Sequence, residues 1–151
     1  YWWFFFFIEQ FAGQKKQNVN ENAQKIKKEF INLAKNKCLT LHFDSKIMTE
    51  TTGQGRKKIE RVTVIITCPG IPDAQLIGIV RVDNGKANTQ AKPIQEILEE
   101  WELFDMVEFL SFDTTATNTG WLNGVYTQLE KYRGKAMGWL ACRLLNIIYF
   151  W

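Results

Sequence analysis

The chain has 151 residues, 46% hydrophobic and 23% charged, with a net charge of +3. That length suits one domain with a real core, and the balance excludes a disordered chain. Cys38, Cys68 and Cys142 are odd in number and lie far apart, which excludes a disulfide framework and any CxxC or Cys/His zinc spacing.

With no Asn-x-Ser/Thr acceptor either, a reducing, intracellular setting is expected. Charge is unevenly spread. Residues 14–37 carry seven lysines against two glutamates, 92–113 carry seven acids against one lysine, and Lys131, Arg133, Lys135 and Arg143 are basic again. Such a split lines one face for a polyanion or simply solvates a surface.

"YWWFFFFI" opens the chain and "LLNIIYFW" closes it. Each is far shorter than the ~20 residues that cross a bilayer, so no membrane span is expected. No basic residues precede the first run and no small-residue cleavage site follows it, which argues against a signal peptide. Residues 1–22 read as an aromatic start and polar arm, disordered or foreign to the fold. A core follows over 23–151.

Ile26, Phe30, Leu33 and Ala34 recur at helical spacing and predict a basic helix near 23–36. Over 38–49 the period changes: Leu39, Leu41 and Phe43 alternate with Thr40, His42 and Asp44, as in a strand with two distinct faces. "GQGRKK" (53–58) reads as a flexible basic hairpin tip; it has neither the dinucleotide fingerprint nor a P-loop ending. "ERVTVIITC" (60–68) is a β-branched strand that Pro69, Gly70 and Pro72 break, and "QLIGIVRV" (75–82) is a third strand. Ile94, Ile97, Leu98 and Trp101 mark a helix ending near Leu103, with Pro93 in or before its first turns. A strand at 106–113 follows. Leu122, Val125, Tyr126, Leu129 and Tyr132 mark a helix over 118–133 with Gly134 as its stop, and "AMGWLAC" (136–142) is the last strand.

Three strands in hairpin succession, then helix, strand, helix, strand, predict an α/β fold with a mixed sheet. Right-handed crossovers put the fourth strand beside the first, on its other edge from the second. This is the ribonuclease H-like topology. It brings Asp44 and Asp113 onto neighbouring strands. Two carboxylates so placed are hard oxygen ligands for Mg²⁺ or Mn²⁺, as two-metal phosphodiester chemistry requires, with a third acid normally completing the set. His42, the only histidine, shares the Asp44 face. Plainer readings stand beside these. Asp113 before Thr-Thr-Ala-Thr-Asn is equally an Asx-turn or helix cap, Asp44 a surface residue, and His42 a partly buried polar side chain.

"LHFDSK" (41–46), "ILEEWEL" (97–103), "FDTTATNTG" (112–120) and "WLACR" (139–143) stand in the order found in transposon-derived, hAT-like proteins of animal genomes. The chain resembles that group over roughly residues 37–143, most specifically in "FDTTATNTG". The resemblance implies a DDE transposase core in which Asp44 and Asp113 are the first two catalytic, metal-holding acids. Thr115 and Asn118 would shape the loop after Asp113, a divalent Mg²⁺ or Mn²⁺ would bind at low occupancy, and DNA would be the partner in a nuclear setting. There are departures. Relatives carry two histidines where this chain has Leu144 and Leu145, just after Cys142, and a distant glutamate that it lacks. Glu96, Glu99 and Glu100 cannot be assumed to replace that glutamate, and no amino-terminal zinc finger is present. The expectation is a truncated, incomplete catalytic core. A non-enzymatic module binding nucleic acid or protein through its basic arm (Lys15–Lys37), or a decayed element without selected function, are the alternatives.

Overall fold

A computed structural model describes residues 20–52, 55–83, 86–113 and 115–141. The chain divides into two compact units, Tyr1–Leu33 and Ala34–Trp151. The aromatic start, Lys15, Lys16, Cys142, Arg143, Leu144 and Leu145 lie outside the described residues. A helix, α1, covers 20–34. Phe30 and Ala34, four residues apart, are its buried side chains, whereas Ile26 and Leu33 are exposed. The apolar stripe is narrower than the sequence spacing suggests.

The second unit is α/β, with a five-stranded mixed sheet. Its elements run β1 (Leu39–Thr52), β2 (Gly55–Cys68), β3 (Ile71–Val82), α2 (Ala87–Glu100), a 3₁₀ turn (Phe104–Met106), β4 (Val107–Phe112), α3 (Ala116–Thr119), α4 (Val125–Arg133) and β5 (Gly138–Ala141). The strand order is β3-β2-β1-β4-β5. β1 and β3 each pair antiparallel with β2, while β4 is parallel to both β1 and β5. The fourth strand therefore lies beside the first, on the edge away from the second, where the crossover rule puts it. No helix among the described residues is long and apolar enough to cross a membrane.

One sheet face carries the core. Leu39, Leu41 and Phe43 of β1, Val62, Val64 and Ile66 of β2, and Leu110 and Phe112 of β4 are buried there. Ile94 and Leu98 of α2 and Val125 and Leu129 of α4 are buried with them, each worth about 1.5–3 kcal/mol of apolar transfer. α2 lies so close to β3 that a methyl group on Gly78 would stand 2.2 Å from Ile97 Cδ1. Behind α4, the guanidinium of Arg133 donates to the Asp105 carbonyl (2.8 Å) and to Glu108 (2.8 Å), tying the helix end to the start of β4. These bonds, with those from Lys135, hold the Glu108 carboxyl below the usual carboxylate range.

Three sequence expectations need correction. Within the basic stretch of 53–58, the described residues Gly55–Lys58 are strand rather than tip: they continue β2 and pair with β1 out to Thr52↔Gly55. Backbone pairing, which needs no apolar face, carries the hairpin that far. β2 ends at Cys68 as the Pro69, Gly70 and Pro72 signal predicts, but the third strand begins at Ile71 rather than 75, so Pro72 sits inside it. β3 is an edge strand, where a missing N–H costs no ladder bond. The helix expected over 118–133 is two, α3 and α4, joined by a turn in which Trp121 and Leu122 are exposed. Asn118 O, Gly120 N and Gly120 O lie 2.6–2.8 Å from where a Gly124 Cβ would be, so the backbone doubles back too tightly for one helix. Gly134 stops α4 in the left-handed conformation, φ 69°.

Candidate functional site

β1 alternates as its sequence does. Leu39, Leu41 and Phe43 point to the helices, so Thr40, His42 and Asp44 point to the other face of the sheet. On β4, Leu110 and Phe112 point to the helices and Ser111 away from them. Parallel pairing sets Leu41 opposite Leu110 and His42 opposite Ser111. One residue further on, the rings of Phe43 and Phe112 stack with centroids 5.2 Å apart. The next residue on each strand's path is an aspartate, Asp44 within β1 and Asp113 immediately past β4, and both are half-buried. The printed pairing ends at His42 and Ser111, two residues before the acids, and alternation along β1 puts Asp44 on the face that also holds His42.

The loop after β4 grips one oxygen of Asp113. Its Oδ1 accepts from the Thr115 backbone N–H (3.4 Å), the Thr115 hydroxyl (2.9 Å) and the Asn118 side-chain amide. Asn118 is buried in α3, so its amide is a fixed donor. The Asx-turn reading and the ligand reading of Asp113 are compatible, because the three donors converge on Oδ1 and none is directed to Oδ2. Thr115 and Asn118 both reach Asp113, and the sequence resemblance singled out the same two residues. His42 contacts Thr67 of β2, Nε2 to Oγ1, at 2.8 Å, and burial lowers the imidazole pKa below its ordinary value.

Asp44 and Asp113 are both half-buried carboxylates. Their donor set is hard oxygen throughout, which fits Mg²⁺ or Mn²⁺ in kind. Among the described residues no group of three or more His, Cys, Asp or Glu is placed to hold a metal ion. Glu96, Glu99 and Glu100 belong to α2, on the helix-bearing face, so the sheet itself separates them from the face of His42 and Asp44. Glu96 instead approaches Lys92 at 3.9 Å, and Glu99 accepts from Gln95 at 2.7 Å.

Ser111 and Thr67 escaped the sequence reading. Ser111 is a buried hydroxyl opposite His42, and its signal is a lone small polar residue inside the apolar run "VEFLSF". Thr67 is identified as the His42 partner only by the β1–β2 register, which pairs it with Thr40 two residues away. Comparison of the chain with protein-family models, with curated proteins and with solved structures finds no match.

Proposed function

We propose that residues 34–141 form a ribonuclease H-like core of hAT-type transposase descent, in which Asp44 and Asp113 together hold a divalent cation and DNA is the substrate class. The observation that carries this reading is the parallel β1–β4 pairing, in which His42 lies opposite Ser111 and Phe43 stacks on Phe112, with an aspartate next in sequence after each ring. Neighbouring strands run about 4.8 Å apart, within reach of one cation for two carboxylates in register. The strand order β3-β2-β1-β4-β5 supports it further, as does the capture of Asp113 Oδ1 by Thr115 and Asn118, donors that among the described residues all go to that one oxygen. A Mg²⁺ or Mn²⁺ held by Asp44 and Asp113 would supply an activated water for attack on a phosphodiester. The chain's own part is to fix one carboxylate, present the second beside it, and keep a neutral imidazole next to the pair.

Titration with Mn²⁺, followed by electron paramagnetic resonance, tests the site. Weak binding is expected, lowered about tenfold or more by Asp44→Asn and by Asp113→Asn. Equal binding in wild type and both variants would refute it. A second reading, a scaffold that binds nucleic acid without cutting it, is favoured by the two-member acid set among the described residues. Plasmid nicking in Mn²⁺ that disappears in Asp113→Asn supports the first reading. DNA binding with no nicking in wild type supports the second.

A further inference from the structure

The turn between α3 and α4 is anchored through its backbone and bare in its side chains. The Gly124 N–H donates to the Gly120 carbonyl (2.7 Å), and the Thr127 hydroxyl of α4 lies within hydrogen-bond reach of the carbonyls of Gly120 (3.2 Å) and Trp121 (3.4 Å). One helical turn further along α4, the Lys131 ammonium donates to the Leu122 carbonyl (3.1 Å). Three successive carbonyls are thereby held against one helix. Yet Trp121 is 91% exposed and Leu122 72%. Two large apolar side chains held out in this way add nothing to the core, whereas the anchored backbone keeps them in a fixed geometry that a ligand need not order.

The same segment begins at the candidate site. Asn118, whose amide holds Asp113, stands three residues before Trp121, and three residues span at most about 11 Å. That is about three base steps of stacked DNA, at about 3.4 Å each. The charged group fastened to the turn is a cation. Lys131 is exposed and bonds a neutral carbonyl, while Glu130 beside it accepts from the Tyr126 hydroxyl (2.7 Å) and the Met137 N–H (2.8 Å). A flat indole beside an ammonium suits a base and its phosphate, because every base has a π-face that stacks on an aromatic ring and the phosphate accepts from the cation. An apolar helix or an acyl chain offers nothing to the ammonium.

We infer that Trp121, flanked by Leu122, is a stacking platform for an unpaired base of DNA, close to the strand presented to Asp113. The choice of DNA rests on the function proposed above, but the test does not use the metal. A fluorescein-labelled single-stranded oligonucleotide is titrated in EDTA and followed by anisotropy, beside a strand of the same length and charge built from abasic sites. Wild type is expected to bind the normal strand about tenfold or more tightly than the abasic one. Trp121→Ala removes an exposed side chain and should leave the thermal melt unchanged, yet lose that preference, whereas Trp121→Phe should keep most of it. Equal affinity of wild type for the two strands, or a base preference that survives Trp121→Ala, would overturn the inference. So would self-association that Trp121→Ala abolishes in sedimentation, which would make the turn a contact between copies, or Trp121-dependent binding to phosphatidylcholine vesicles, which would make it a lipid contact. A Trp121-dependent base preference with Mn²⁺ affinity insensitive to Asp44→Asn and Asp113→Asn sinks the cation site and leaves the platform standing. Mn²⁺ binding that needs both aspartates, without any base preference, sinks the platform alone.

Discussion

Phe43 and Phe112 stack across the seam between β1 and β4, with ring centroids 5.2 Å apart and planes inclined by 30°. Each ring immediately precedes one of the two aspartates, so the core contact and the candidate site share a backbone. Trp139 of β5 continues the stack, 5.8 Å from Phe112.

Truncating either ring is expected to loosen both. Phe112→Ala should cost about 3–5 kcal/mol in urea denaturation, because its side chain is fully buried. A double-mutant cycle with Phe43→Ala should return a coupling of about 0.5–1.5 kcal/mol. Additive losses would show that the seam does not act as a unit.

Asn118 joins α3 to Asp113 through one buried amide donor. Asn118→Ala is expected to destabilise by about 1–3 kcal/mol and to weaken Mn²⁺ binding with Asp113 still present. Asn118→Asp replaces the donor with a second negative charge and should be worse on both counts. Unchanged Mn²⁺ affinity in a folded Asn118→Ala protein would separate the loop from the site.

His42 ties stability to mildly acidic pH. Burial lowers its folded pKa below the ordinary 6.5, so on acidification the unfolded chain takes up this proton first. Its contribution is therefore full above about pH 6.5 and is lost as pH falls towards the lowered folded value. Chemical denaturation of wild type and His42→Gln between pH 7.5 and 5, as about the range that spans this titration, should show a steeper decline in wild type. Parallel curves would show that the imidazole titrates alike in both states.

Tyr126 does the converse at the alkaline end. Burial first, and then its hydrogen bond to Glu130, push its hydroxyl up from 10.0 to about 12. The unfolded chain ionises first, so this contribution is present below pH 10 and is lost between 10 and about 12. Tyr126→Phe should flatten that loss, and ultraviolet titration of tyrosinate should show one late-ionising group disappear.

Gly78 sets how closely α2 approaches β3. Gly78→Ala is expected to destabilise by about 1–3 kcal/mol, since the new methyl would meet Ile97 Cδ1. Ile97→Val removes that atom and should restore part of the loss, as a thermal melt would show. A double variant no more stable than Gly78→Ala would place the strain in the backbone instead.

Much of this arrangement was legible in the residues. The alternation of Leu39, Leu41 and Phe43 with Thr40, His42 and Asp44 is a local property, because side chains on a strand change face at every residue. Hairpin spacing followed by crossover helices constrains strand order through chain connectivity and handedness, so the β1–β4 adjacency follows from the order of elements alone. Other features depend on how separate segments meet. Whether the helix after Asp113 is one or two was settled by the close approach of Gly124 to Asn118 and Gly120, a packing event that periodicity does not encode. The fate of "GQGRKK" was settled by cross-strand hydrogen bonds, which any side chain can accompany.

Tertiary structure alone decided register. His42 and Ser111 are 69 positions apart in sequence, and a slip of one residue between β1 and β4 would send one of them to the helix face. Lys46, Arg61 and Arg81 belong to three strands whose sequences say nothing about their alignment. Composition and periodicity assign each side chain a face, because that depends on its own backbone. Which side chains share a row depends on interstrand pairing, and that is a property of the folded sheet.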